Sequence, residues 1–235
     1  MLRTQFVKNK TVKRLFSVLS TLNAKGVATK SQLDRKPDVQ ARHEQMDEAQ
    51  IAYLDRVIRV DQAGELGANY IYAGQIFVLA RKYPHLKPVL QHMWEQEIHH
   101  HNTFNNLQLK HRVRPSLITP IWKVGAFLIG SGTALISPEA AMACTEAVET
   151  VIGGHYNEQL RCLGNQYDLK NTDGTVGQSN EVISLINTIR QFRDEELEHL
   201  NTAIKHDSKK AFPYMVLTEG IKGVCRVAIW SAERI

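Results

Sequence analysis

The chain has 235 residues, of which 43% are hydrophobic and 23% charged, with a net charge of +5. That length suits one domain with an appendage and supports a buried core without disulfides. The charge is uneven: residues 1–36 hold nine Lys/Arg against the single acid Asp34, leaving the rest slightly acidic, without the basic stripe that nucleic-acid binding requires.

The first thirty residues are rich in Lys/Arg and Ser/Thr, contain no acid, and space their apolar residues (Leu2, Phe6, Leu15, Phe16, Leu19, Leu22) rather than running them together. This composition predicts a mitochondrial transit peptide, since a secretory signal needs a continuous apolar core. Residues 1–40 are read as a leader and 41–235 as the folded domain. Cys144, Cys162 and Cys225 form no C-x-x-C and read as thiols in a reducing compartment.

The body predicts an all-α bundle. The first helix is expected to run from about Asp47, which with Gln50 resembles a capping pair, to Arg81 before Pro84. Its apolar stripe passes through Leu54, Ile58, Ala68 and Tyr72, and Glu65 sits in that stripe. The second runs from about Pro88 to Lys110 with Leu90, Met93, Phe104 and Leu107 inward. Residues 115–136 are the most hydrophobic stretch, interrupted by Pro120, Lys123 and three glycines. Trp122 and Lys123 favour a segment at the lipid headgroup boundary, with a buried helix or a membrane span as alternatives.

Ser137-Pro138-Glu139 opens the third bundle helix, which is expected to reach Leu163. A Gly/Asn/Asp-rich loop follows, Ser179 caps a fourth helix to His206, and residues 211–235 read as an additional C-terminal helix. The hydrophobic segment then supplies the long crossover of a ferritin-like four-helix bundle.

Glutamate on an inward stripe is costly unless its charge meets a cation. Glu97 precedes His100 by three residues and Glu196 precedes His199 by three, so each pair shares a helix face. Each of these helices follows another with an inward glutamate, Glu65 and Glu149. Glu…Glu-x-x-His, repeated twice, is the ligand pattern of di-iron carboxylate bundles. One E-x-x-H alone carries little information; two on long helices, each preceded by a striped glutamate, carry more. An oxygen-rich set with two imidazoles suits iron or manganese better than zinc. Glu146 and Glu195 compete for ligand roles on the same helices. Tyr156, seven residues after Glu149, favours Glu149 as the inward member. Asp61 shares the face of Glu65 and is a candidate to orient a ligand histidine. His155 is expected to make a structural hydrogen bond, with Gly153-Gly154 loosening the helix before it. No nucleotide-binding motif is visible.

The runs RVDQAGELGANYIYAGQ, HMWEQEIHHH, AMACTEAVETVIGGHYNEQ, FRDEELEHLN and CRVAIWSAERI together resemble the mitochondrial demethoxyubiquinone hydroxylase family over about residues 45–235. The resemblance implies a ferritin-like di-iron monooxygenase hydroxylating a polyprenylated demethoxy quinone or quinol with O₂, in the penultimate step of ubiquinone biosynthesis. It makes Glu65, Glu97, His100, Glu149, Glu196 and His199 the ligands of two iron ions, with Glu97 and Glu149 bridging the two ions or approaching both. It further implies electrons from NADH or the quinol itself, and a peripheral place on the matrix side of the mitochondrial inner membrane. The implied partners are the membrane surface and other proteins of the biosynthetic complex, including a lipid-binding accessory protein. A ferroxidase bundle and a non-catalytic membrane-peripheral scaffold are the alternatives.

Overall fold

The computed structural model describes residues 46, 48–166, 169–170 and 176–235. The expected leader and the capping role of Asp47 lie outside them. The bundle consists of α1 (Glu48–Lys82), α2 (Lys87–His111), α4 (Pro138–Gln166) and α5 (Asn180–Lys205), with α3 (Thr119–Ile136) as the crossover and α6 (Tyr214–Arg234) last. Among the described residues the only strand pairing is a two-residue ladder, Leu169–Lys170 against Val176–Gly177, between α4 and α5.

The boundaries follow local chemistry. α1 stops before a 3₁₀ turn at Pro84–Leu86, since proline cannot donate to the helix ladder. So short a connection turns α2 back along α1. α2 ends where Arg112 adopts a left-handed φ of 54° and the N–H groups of Arg112 and Val113 return to the carbonyls of Leu109 and Gln108. Ser137 Oγ accepts from the Ala140 N–H (3.0 Å) and Ser179 Oγ from the Val182 N–H (3.2 Å), so both expected serine caps form. α4 differs from expectation. It runs unbroken through Gly153-Gly154 to Gln166, because bundle packing on both sides outweighs the roughly 1 kcal/mol helix penalty of each glycine.

Two apolar layers close the bundle interior. Leu54, Val57, Phe104, Tyr156, Leu163, Ile189 and Phe192 pack at one end, and Tyr72, Leu79, Leu90, Met93, Met142 and Ala203 at the other. The buried carboxylates lie between them in sequence on all four helices.

α3 lies along α1 at backbone contact. A Cβ on Gly130 would fall 2.0 Å from the Ile71 carbonyl oxygen, and one on Gly74 would fall 2.5 Å from that of Phe127, so only glycine permits this approach. α3 buries Ala126, Phe127, Gly130 and Ala134, while Ile121, Val124, Leu128 and Leu135 on its other side are each more than 60% exposed. It is the one described helix long and apolar enough to cross a membrane by length and composition. α6 packs on α4 and α1. Glu146 anchors its start, accepting from Tyr214 Oη (2.7 Å), Ser208 and Lys209, and Arg59 binds the carbonyls of Ala232 and Glu233 at its end. Glu146 therefore serves α6 and stands apart from the ligand cluster. Phe212, Met215, Val216, Val227 and Trp230 are exposed around α6.

Between α3 and α6, floored by α1 and α4, lies an apolar cavity of about 160 Å³. Ile121 and Val224 both line it and are exposed, which sets its rim on the apolar outer face. Gly64, Ala68, Val148 and Ile152 line its floor, beside Glu65 and Glu149 in the chain.

Candidate metal centre

Six side chains from four helices converge between the apolar layers: Glu65 from α1, Glu97 and His100 from α2, Glu149 from α4, and Glu196 and His199 from α5. Each is at most 1% exposed. They form two groups whose ligand atoms lie within 4.8 Å of one another: Glu65, Glu97, His100 and Glu196, and Glu97, Glu149, Glu196 and His199. The residues common to both are Glu97 and Glu196, rather than the expected bridging pair of Glu97 and Glu149. Each E-x-x-H helix contributes its own carboxylate to the shared middle, while Glu65 and Glu149 belong to one group each.

The histidines are oriented alike. His100 Nδ1 lies 3.0 Å from Glu196 Oε1 and 3.5 Å from Glu65 Oε2. His199 Nδ1 lies 3.0 Å from Glu196 Oε2 and 3.0 Å from Glu97 Oε1. Both Nε2 atoms point away from the centre, to Glu195 from His100 (2.6 Å) and to Gln96 from His199 (3.0 Å). Glu195 is thus behind the His100 imidazole and outside both groups. Phe192 stacks on His100 with centroids 4.0 Å apart, fixing the ring plane.

Two tyrosines cross the bundle in a matching pair. Tyr72 Oη donates to Glu149 Oε1 (2.9 Å) and Tyr156 Oη donates to Glu65 Oε1. Tyr72 follows Glu65 by seven residues, as Tyr156 follows Glu149, so each tyrosine serves the other helix's glutamate. Reading Tyr72 only as an apolar stripe residue missed it; the E-x₆-Y spacing shared by both helices was the available signal. Asp61 is buried, accepts from Gln159 Nε2 (2.7 Å), and lies 3.7 Å from His155 Nε2. The imidazole near Asp61 is therefore His155, which also pairs with Gln159 (2.8 Å), whereas Glu195 and Gln96 stand behind His100 and His199.

Electrostatics show what the centre needs. Burial, followed by the neighbouring carboxylates, pushes Glu97 and Glu149 well above the usual carboxylate range. Burial also pushes Glu196 up, but hydrogen bonds from His100 and His199 outweigh it and bring its pKa to about 2. Burial disfavours charge on His100 and His199; the surrounding carboxylates overcome it and raise both. Four carboxylates in a dry site call for more positive charge than two imidazoles provide. Glu65 Oε2, both Glu97 oxygens and Glu149 Oε2 are buried without a hydrogen-bond donor. Those orphaned oxygens and the two inward Nδ1 atoms make a donor set that fits divalent metal. The cluster can hold a metal ion.

Residues 52–232 match the family described as "Ubiquinone biosynthesis protein COQ7". The chain is 70% identical over 226 residues to the "5-demethoxyubiquinone hydroxylase, mitochondrial" of Saccharomyces cerevisiae, covering 96% of this chain and 97% of that one. It is 46% identical over 190 residues to the human "NADPH-dependent 3-demethoxyubiquinone 3-hydroxylase, mitochondrial", covering 81% and 82% of the two chains. The "3-demethoxyubiquinol 3-hydroxylase" of Rhodospirillum rubrum is 41% identical over 189 residues, covering 80% and 82%. The matched span contains α2–α5 and all six residues of the buried cluster, and the chain belongs to the COQ7 family of ubiquinone biosynthesis proteins.

Proposed function

We propose that this protein is an O₂-dependent monooxygenase of ubiquinone biosynthesis, hydroxylating the ring of a demethoxyubiquinone or demethoxyubiquinol in the penultimate step. One observation carries the reading: in a chain of this family, two buried carboxylate–imidazole groups share Glu97 and Glu196 beside an apolar cavity. Its relatives are named for that hydroxylation.

The residues assigned to two iron ions are Glu65, Glu97, His100, Glu149, Glu196 and His199. Two ferrous ions held there would supply the two electrons needed to place one atom of O₂ on the ring and reduce the other to water. The chain's own contribution is positional. Tyr72 and Tyr156 each hold one oxygen of Glu149 and Glu65, leaving the second oxygen of each free to face metal. The apolar layers keep water from the centre, and the cavity receives the ring from the outer face. Its Ala, Val, Ile and Gly lining suits a lipid quinone and gives no polar route for free iron, which favours the hydroxylase over a ferroxidase.

The reducing equivalents come from NADH or from the quinol itself, as the family resemblance implies, while the mammalian relatives are named as NADPH-dependent. Residues 1–40 act as a mitochondrial targeting leader and 41–235 as the hydroxylase domain, in keeping with the mitochondrial names of close relatives. The exposed apolar sides of α3 and α6 flank the cavity rim, which supports peripheral attachment to the matrix side of the inner membrane. The same face accommodates other proteins of the biosynthetic complex, including a lipid-binding accessory protein.

The cavity assignment is tested with Gly67→Phe. A Cβ there meets nothing within 4 Å, and the ring fills the cavity. The variant should keep its bound iron yet turn over a tailed demethoxyquinone about 100-fold more slowly, the scale of a misplaced substrate. Full turnover with the cavity filled would reject it as the ring's site.

A further inference from the structure

Behind each ligand histidine stands the residue that precedes the opposite helix's ligand glutamate. Gln96, next to Glu97 on α2, meets His199 Nε2 at 3.0 Å; Glu195, next to Glu196 on α5, meets His100 Nε2 at 2.6 Å. The arrangement is reciprocal in geometry and unequal in chemistry, because one partner is a neutral amide and the other a carboxylate.

We propose that Gln96 and Glu195 are positioning residues that set the ligand tautomers and make the two metal positions unequal, the His100 position binding metal more tightly than the His199 position. This rests on reading the cluster as a two-metal centre. With metal bound, the side-chain oxygen in each case would accept from the imidazole Nε2–H, leaving the Nδ1 that now lies on the Glu196 carboxylate free to donate its lone pair to the metal. A carboxylate acceptor draws that proton more strongly than an amide oxygen does, which makes the imidazole a better donor at its other nitrogen. Glu195 is itself steadied, since Gln191 Nε2 donates to its second oxygen at 2.8 Å. Phe192, stacked on His100, prevents the ring from turning away from Glu195. His199 has a looser aromatic neighbour in Tyr72, edge-on with centroids 5.9 Å apart. Metal should therefore fill the Glu65/Glu97/His100/Glu196 group first.

The test is an anaerobic Fe(II) titration of the full chain against a chromophoric chelator, with Mössbauer spectra at one and two equivalents. The wild type should bind in two resolved steps. Glu195→Gln should weaken the first step by about 10–100-fold, the usual effect of losing an outer partner, and leave the second unchanged. Gln96→Glu should strengthen the second step and bring the two ferrous signals together. A merely structural role would shift both steps equally, so equal shifts overturn the proposal, as does a wild type whose two irons bind indistinguishably. Loss of both irons from Glu195→Gln would make Glu195 a ligand and overturn it as well. Circular dichroism confirms that each variant is folded, and Glu195→Asp, which keeps the charge, should restore part of the first step. If the wild type binds no iron at all, the two-metal reading fails and takes this inference with it; two bound irons that respond to neither variant sink only the inference.

Discussion

Replacing either shared carboxylate, by Glu97→Ala or Glu196→Ala, should strip both metal positions together. Each belongs to both four-residue groups, whereas Glu65 and Glu149 belong to one each. Bound iron should fall from about two per chain to well below one, and hydroxylation should fall to background. Glu65→Ala, by contrast, should leave a partly loaded protein, because the Glu97/Glu149/Glu196/His199 group remains intact. Elemental analysis of purified variants, with helicity measured beside it, reads out both results. Replacing Glu97 removes a carboxylate that burial holds well above its usual pKa, so the metal-free variant should be no less stable than the metal-free wild type. Retention of two irons by Glu97→Ala would remove Glu97 from the centre.

Metal removal should reverse how stability depends on pH. Glu97 and Glu149 have pKa values raised by burial, so in the metal-free protein the folded state holds protons that the unfolded chain has released. Stability then falls as pH climbs from the ordinary carboxylate range toward the raised values. His100 and His199 act in the same direction: both are raised by neighbouring carboxylates, and their contribution is lost as pH rises through the folded values. Glu196, at about 2, opposes them only in acid, where its contribution disappears as pH falls toward that value. Chelator-treated protein should therefore unfold at lower urea at pH 8 than at pH 6. Metal competes with those protons, so Fe(II)-loaded protein should lose or invert the difference. At free metal 100 times its dissociation constant, it should gain about 2.7 kcal/mol. Parallel pH profiles with and without metal would mean that the cluster is satisfied by protons alone.

Much of this centre is legible in the sequence, because a bundle turns spacing into geometry. Glu97 with His100, and Glu196 with His199, share a face by helical period alone, and the structure brings both pairs to one buried point with Glu65 and Glu149. What spacing does not encode is which carboxylates lie between the pairs. That depends on the relative rotation of α2 and α5, and it makes Glu196 rather than Glu149 the second shared residue. Tyr72 was equally visible as E-x₆-Y on α1, but a tyrosine in an apolar stripe reads as core until its hydroxyl is seen on Glu149. The outer acceptors follow the same pattern: Gln96 and Glu195 hold equivalent places in WEQEIHHHN and RDEELEHLN, yet the residues they serve are on the facing helix. For the crossover, composition indicated an apolar segment and left its placement open. The close approach of Gly130 to Ile71 and of Gly74 to Phe127 lays one side on α1 and turns Ile121, Val124, Leu128 and Leu135 outward.

The shared centre and the cavity assign one reaction to this chain, and isotopic labelling of a single turnover tests it most directly. Protein loaded anaerobically with Fe(II), given a reduced demethoxyquinone and exposed to ¹⁸O₂, should yield a ring-hydroxylated product carrying one ¹⁸O by mass spectrometry. Fully iron-loaded protein that consumes ¹⁸O₂ and returns the quinone unlabelled would contradict the account.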